Sequence, residues 1–174
     1  MLIGVTGKSG VGKNYFIEDF VLKLYSNIFH IDIDKIGHTV TEIPEVKEKL
    51  VQAFGENLIL NSDFTINRKE LSELVFTCKT RYQILEDITL EPMYDIIDRT
   101  MQSGFEHYIL NSVLLPKMKY WKMCNFTFLI TRDEDERRKA LFERDGLTLE
   151  KLQKRDCPAP NFADYKYDYW IVNK

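Results

Sequence analysis

Gly7, Lys8, Ser9, Gly10, Val11, Gly12, Lys13 and Asn14 form the run G-K-S-G-V-G-K-N, directly after the apolar run Leu2-Ile3-Gly4-Val5-Thr6. The spacing is that of a phosphate-binding loop, G-x-x-x-x-G-K-[ST], with Asn at the last position. The context suits it: a short strand, a Gly-rich turn, then a helix expected from Gly12 to about Leu24. Gly7, Gly10 and Gly12 admit backbone angles closed to other residues and let the chain approach a ligand closely. Backbone N–H groups and the helix N-terminus then face one anion-sized space, which Lys13 can enter as a point charge. The chemistry implied is binding of a nucleoside triphosphate such as ATP; the plainer alternative is a Gly-rich turn before a helix. Asn14 stands where a hydroxyl normally touches Mg2+. Its amide oxygen is a hard ligand on a longer arm, so phosphate binding is the firmer expectation and metal placement the looser one.

Further polar groups follow the next apolar runs. Asp32 and Asp34 lie in I-D-I-D-K-I-G-H, after the second run. If the segment is extended, alternation puts both carboxylates on one side. Either can take a proton from an attacking hydroxyl or help hold Mg2+, while Asp34 can instead cap a helix. Arg144 ends a helix that begins acidic (Asp133) and finishes basic, as the helix dipole favours, and it can clamp a transferring phosphate or remain an exposed charge. Arg137 sits about two turns earlier on the same face. Arg68 opens another helix and suits an anionic acceptor or plain solvent. Tyr165, Tyr167, Tyr169 and Trp170 can stack on a base or simply pack. Asn173, closing the last run, can contact the nucleotide base.

Strand-like runs at residues 2–6, 28–32, 108–113, 126–130 and 169–172 alternate with helical periodicities. This predicts an α/β chain, a three-layer P-loop kinase fold with a five-stranded parallel sheet, its ligands beyond the carboxyl ends of the strands. Residues 41–101 are mostly helical and long for a crossover; they read as an acceptor-binding insertion, with a break or kink at Pro92. Residues 137–160 read as a lid. The 174 residues and 44% hydrophobic content fit a single domain with its own core. A net charge of −3 argues against a nucleic-acid partner. No run is long enough for a membrane span. No signal peptide is expected, because the first apolar run leads straight into the loop. Cys78, Cys124 and Cys157 follow no zinc or disulfide pattern, so reduced thiols in a cytoplasmic protein are expected. A monomer or weak homo-oligomer is expected.

The order of these motifs resembles the dephospho-coenzyme A kinase family through nearly the whole chain. The resemblance rests on G-V-T-G-K-S-G-V-G-K, on I-D-I-D-K-I-G-H, and on G-E-N-L-I-L-N-S-D-F-T-I-N-R-K-E-L-S-E-L-V-F at residues 55–76, the piece most particular to that family. L-E-D-I-T-L-E-P, E-R-D-G-L-T and A-D-Y…I-V-N continue it. The resemblance implies transfer of the ATP γ-phosphoryl to the ribose 3′-hydroxyl of dephospho-coenzyme A, with Mg2+. By position, residues 7–13 hold the phosphates, Asp34 is the general base, Arg68 is on the acceptor side and Arg144 is the lid arginine; beside these, Asp32 and Arg137 are expected on the substrate side, and Asn14 and Asp34 on the metal. The chain departs from the pattern at Asn14, at Glu91 (where the family has His before Pro), at residues 113–117, at Ala140 and at Asp156, where a lid Gln is common; it ends after Asn173, short of a final helix. Those departures keep two alternatives open: a nucleoside or nucleotide kinase with another acceptor, and a nucleotide-binding protein of weak activity.

Overall fold

The computed structural model describes residues 1–24, 27–76, 78–146 and 148–174, so Leu147 of the lid motif lies outside the described residues. In chain order the elements are β1 (Leu2–Thr6), α1 (Lys13–Phe16), a π-helical segment (Ile17–Val21), α2 (Leu22–Leu24), β2 (Ile28–Asp32), α3 (Ile33–Val40), α4 (Pro44–Phe54), α5 (Glu56–Ile59), α6 (Arg68–Val75), α7 (Lys79–Thr100), β3 (His107–Asn111), β4 (Phe126–Arg132), α8 (Glu134–Asp145), α9 (Leu149–Asp156) and β5 (Tyr169–Asn173). They form two compact units: residues 1–33 with 100–174, and residues 34–99.

The first unit is built on a five-stranded, wholly parallel sheet of order β2-β3-β1-β4-β5. β1 and β3 are buried along consecutive residues, as strands covered on both faces must be, which is why they read as unbroken apolar runs. Ile3, Val5, Ile109 and Ile130 of the sheet meet Val11, Ile17 and Val21 of the loop and helix that follow β1. β5 is fixed at its start by Asp168, whose Oδ2 accepts from the Thr127 amide at 2.7 Å and its hydroxyl at 2.8 Å. The strand order reverses at β1, with β3 on one side and β4 on the other, so the loop after β1 opens at the switch point where ligands of such sheets bind.

α8 starts on a side-chain cap: Asp133 Oδ1 accepts from the amides of Asp135 (3.0 Å) and Glu136 (3.2 Å). Gly146 ends it at φ +62°, a left-handed stop. At that end Asp145 takes both nitrogens of an Arg144 fork, at 2.7 and 2.6 Å, and Arg155 from α9 at 3.1 Å.

In α3, which from Asp34 onward belongs to the second unit, Ile33, Ile36 and Val40 recur at three and four residues, and this helical period wins over the alternation of I-D-I-D. The strand ends at Asp32, and Asp34 lies in the first turn of α3. The two carboxylates therefore do not share one side of an extended segment, and Asp34 is inside the helix rather than capping it. The unit closes around Val40, Val46, Leu50, Phe54, Ile59, Ile66, Leu71 and Val75. Ile84, Leu85 and Ile88, before Pro92, and Met93 and Ile96, after it, all pack on that cluster. α7 accordingly runs through Pro92 without the expected break. Asn67 caps α6 by accepting from the Glu70 amide at 3.2 Å, which sets Arg68 at the helix start.

Two stability measurements follow. Leu50 is 0% exposed, and Leu50→Ala is expected to lower unfolding free energy by about 2–5 kcal/mol in urea titration; a loss under about 1 kcal/mol would contradict a close-packed core there. The Arg144 fork, opposed by burial and joined by Arg155, holds the Asp145 carboxyl down at about 2. Its folded value thus lies below the unfolded one of about 3.9, so its contribution is full above about pH 4 and is lost as pH falls towards 2. The stability gap between the parent and Asp145→Asn should be constant above about pH 4.5 and shrink towards pH 2; a gap independent of pH would refute the assignment.

Candidate active site

The loop at residues 7–14 is held by its carbonyls. Lys13, only 8% exposed, donates through Nζ to the carbonyls of Gly7 (2.9 Å) and Lys8 (3.3 Å). Arg137 Nη1 donates to the Ser9 carbonyl at 3.0 Å, and Asn173 Nδ2 to the Val11 carbonyl at 3.0 Å. In a trans peptide the next residue's N–H points opposite to the carbonyl. Turning these four carbonyls towards side chains therefore directs the N–H groups of Lys8, Ser9, Gly10 and Gly12 the other way, as an anion cradle requires. Two glycines are obligatory. At φ +90° a Cβ on Gly12 would fall on the Asn173 amide, and at φ +144° one on Gly7 would fall on the Ile130 carbonyl. Asn173, expected at the nucleotide base, thus gives its amide to the loop and shapes the cradle from behind.

Beside the loop, Asn14 is bracketed by the ends of two strands. Its Oδ1 accepts from Asn111 Nδ2 at 2.5 Å, and its Nδ2 lies 3.4 Å from Asp32 Oδ2. Asn111 is 1% exposed, and its own Oδ1 is buried with no hydrogen-bond partner. An acceptor left orphaned beside a carboxylate is costly unless a ligand completes it. Asn111 was legible only as part of a polar pair, Asn111-Ser112, ending an apolar strand; its contact with Asn14 was not.

Arg137 is built into the surroundings of the loop. It was expected on the substrate side, yet it is 1% exposed and its donors are fully used. Nε and Nη2 bond Glu134 at 3.1 and 2.7 Å, Nη1 and Nη2 bond Asp156 at 3.3 and 2.5 Å, and Nη1 also bonds Ser9. That is five bonds from five N–H groups, leaving none for a substrate. Burial lowers the guanidinium pKa, but the two carboxylates outweigh it and the net shift is upward. Arg144, by contrast, is exposed and holds Asp145.

In the second unit, Asp34 is exposed on α3. The Tyr82 hydroxyl is pushed well above its ordinary pKa by burial, then by Glu86, and in smaller part by the Asp34 charge. Arg68 donates to the His38 carbonyl at 3.3 Å. It borders a shallow, open surface depression lined also by Glu42, Asn61, Thr65, Ile66 and Asn67. Burial tends to raise the Glu42 pKa, but bonds from Lys47 and the Ile66 amide, with the Lys47 and Arg68 charges, lower it overall. Glu91 is exposed on α7, so its charge needs no buried partner. Among the described residues no helix is long and apolar enough to cross a membrane, and no cluster of three or more His, Cys, Asp or Glu is arranged as a metal site.

The fold is shared with a Thermus thermophilus crystal structure, TM-score 0.79 at 20% identity, covering 100% of this chain and 88% of that one. A dephospho-CoA kinase from Campylobacter jejuni aligns with TM-score 0.62 and 25% identity over 99% of this chain and 88% of that one. In sequence, the dephospho-CoA kinase of Dehalococcoides mccartyi is 32% identical over 99% of this chain and 87% of its own length, and that of Shouchella clausii 30% over 89% and 79%. The family model for dephospho-CoA kinase matches residues 1–158, which takes in the phosphate loop, the α3 carboxylate, the whole second unit and the Arg137 cluster. With an anion cradle at the head of the sheet and this match along most of its length, the chain belongs to the dephospho-CoA kinase family.

Proposed function

We propose that this chain transfers the γ-phosphoryl group of ATP to the ribose 3′-hydroxyl of dephospho-coenzyme A, the final step of coenzyme A synthesis. The observation that carries the reading is the phosphate loop whose carbonyls are tied back by Lys13, Arg137 and Asn173, since that arrangement leaves its N–H groups facing one anion-sized space. Family membership supplies the acceptor. The loop amides and Lys13 bind the β- and γ-phosphates. Asp34 accepts the hydroxyl proton as the new O–P bond forms and the bond to ADP breaks. Arg68 serves the acceptor side. Arg144, exchanging Asp145 for phosphate oxygens, steadies the transferring group.

The donors beside the loop fit Mg2+: Asp32, Asn14 and the orphaned Asn111 Oδ1 are hard oxygen ligands, and Mg2+ typically takes one or two carboxylates plus substrate phosphates. Bound there, the ion would supply charge neutralisation between the phosphates. Asp32 and Asn14 are assigned to that duty and Asp34 to the proton. An alternative nucleoside acceptor has no observation in its favour.

The direct test is ADP release with dephospho-coenzyme A against a panel of nucleosides and nucleoside monophosphates, with coenzyme A identified by mass. Release with dephospho-coenzyme A alone is expected; release only with another acceptor sinks the reading. Asp34→Asn should lower kcat by about 100-fold or more while leaving ATP affinity within about two-fold, and a variant of near-parental rate removes Asp34 as the base. Asn111→Ala should raise the Mg2+ concentration for half-maximal rate by about ten-fold, an expectation resting on one lost ligand contact, with ATP binding in chelator unchanged. An unaltered Mg2+ requirement would dissociate Asn111 from the metal.

A further inference from the structure

Arg137 is buried in an otherwise polar cluster that joins three segments of the first unit. It stands on α8 with Glu134, its second carboxylate is Asp156 at the end of α9, and its remaining donor reaches the Ser9 carbonyl of the phosphate loop. Lys8, the neighbour of Ser9, lies 3.7 Å from Glu134 and 4.0 Å from Asp156. Arg138 also reaches Glu134 and Asp135, each at 3.5 Å, so the cluster sets three cations against three carboxylates. Full satisfaction of all five guanidinium donors is the condition under which a buried arginine is held in one orientation.

That orientation acts on one peptide plane. The Ser9 carbonyl and the Gly10 N–H belong to the same peptide, so fixing the carbonyl on Arg137 fixes the N–H into the cradle. Gly10, at φ +83°, supplies little resistance of its own to a flip of that plane. We propose that Arg137 is a positioning residue for phosphate binding: oriented by Glu134 and Asp156, it presents the Gly10 amide to the nucleotide and makes ATP affinity depend on the docking of α9. The inference rests on the ATP-binding reading above. A lysine at this position keeps the charge but cannot reproduce the planar fork that reaches Glu134, Asp156 and Ser9 together.

The test measures ATP dissociation constants without acceptor, then kcat and acceptor KM at saturating ATP, and thermal midpoints. The variants are Asp156→Asn, Arg137→Lys, and the apolar pair Arg137→Met with Asp156→Leu. Asp156→Asn and Arg137→Lys should each weaken ATP binding by about ten-fold, the value of one charge-assisted hydrogen bond. Acceptor KM should stay within about two-fold, a split that general loss of stability would not produce. The apolar pair removes the uncompensated charge, so it should fold and still bind ATP about ten-fold or more weakly. Variants whose midpoints fall while ATP affinity stays within about two-fold of the parent overturn the inference and leave the proposed function standing. A parent that binds no ATP overturns both. Should the apolar pair not fold, the two single variants decide alone.

Discussion

A phosphate loop has to turn its carbonyls away from its ligand, and the rest of this structure answers to that requirement. Carbonyl oxygens facing a polyphosphate would repel it, and four of them here are instead occupied by cationic or amide donors. The donors come from three places far apart in sequence: Lys13 on α1, Arg137 on α8 and Asn173 at the end of β5. Only the strand order brings them together. β4 and β5 lie successively beside β1, so the helix after β4 and the tip of β5 both reach the loop after β1. The sheet topology is thus what lets one end of the chain restrain the other.

What could be read beforehand, and what could not, divides along the range of the interactions. The strands were legible because a parallel sheet covered on both faces demands unbroken apolar runs, and the loop because its glycines and lysine act within eight residues of one another. Local patterns that competed were less legible. In I-D-I-D-K-I-G-H an alternation and a helical period coexist, and burial of Ile33 and Val40, at 1% and 0% exposure, decides for the helix. At Pro92 the missing N–H costs one hydrogen bond, but side chains on both sides of it share one core, and packing outweighs the loss. Of the partners of Arg137, Glu134 is three residues away, but Asp156 and Ser9 are nineteen residues ahead and 128 behind, beyond the reach of local patterns.

The departures from the family pattern look less severe once their surroundings are known. Asn14 does not simply replace a hydroxyl: Asn111 and Asp32 bracket it, so the longer side chain is held in place. Glu91 sits exposed on its helix, where a carboxylate is solvated and its field is screened within about 8–10 Å. Asp156, standing where a lid Gln is common, comes with the cationic partner that makes a carboxylate tolerable there. Asn14 and Asp156 thus each have neighbours that hold the altered side chain.

A chain of net charge −3 that binds a polyanion cannot rely on an overall positive field. Several of the cations around the loop are paired with carboxylates. Arg137 and Lys8 are set against Glu134 and Asp156, and Arg144 against Asp145. Beside Lys13 stands the oriented peptide dipole, which carries no net charge, needs no counter-ion and is strongest where water is excluded. The ion pairs then do mechanical service: Glu134 and Asp156 direct Arg137 to the Ser9 carbonyl, and that bond aims the Gly10 amide. Electrostatic attraction of phosphate and the rigidity of the loop are in this way one property, because the charged groups hold the dipoles and the dipoles meet the ligand.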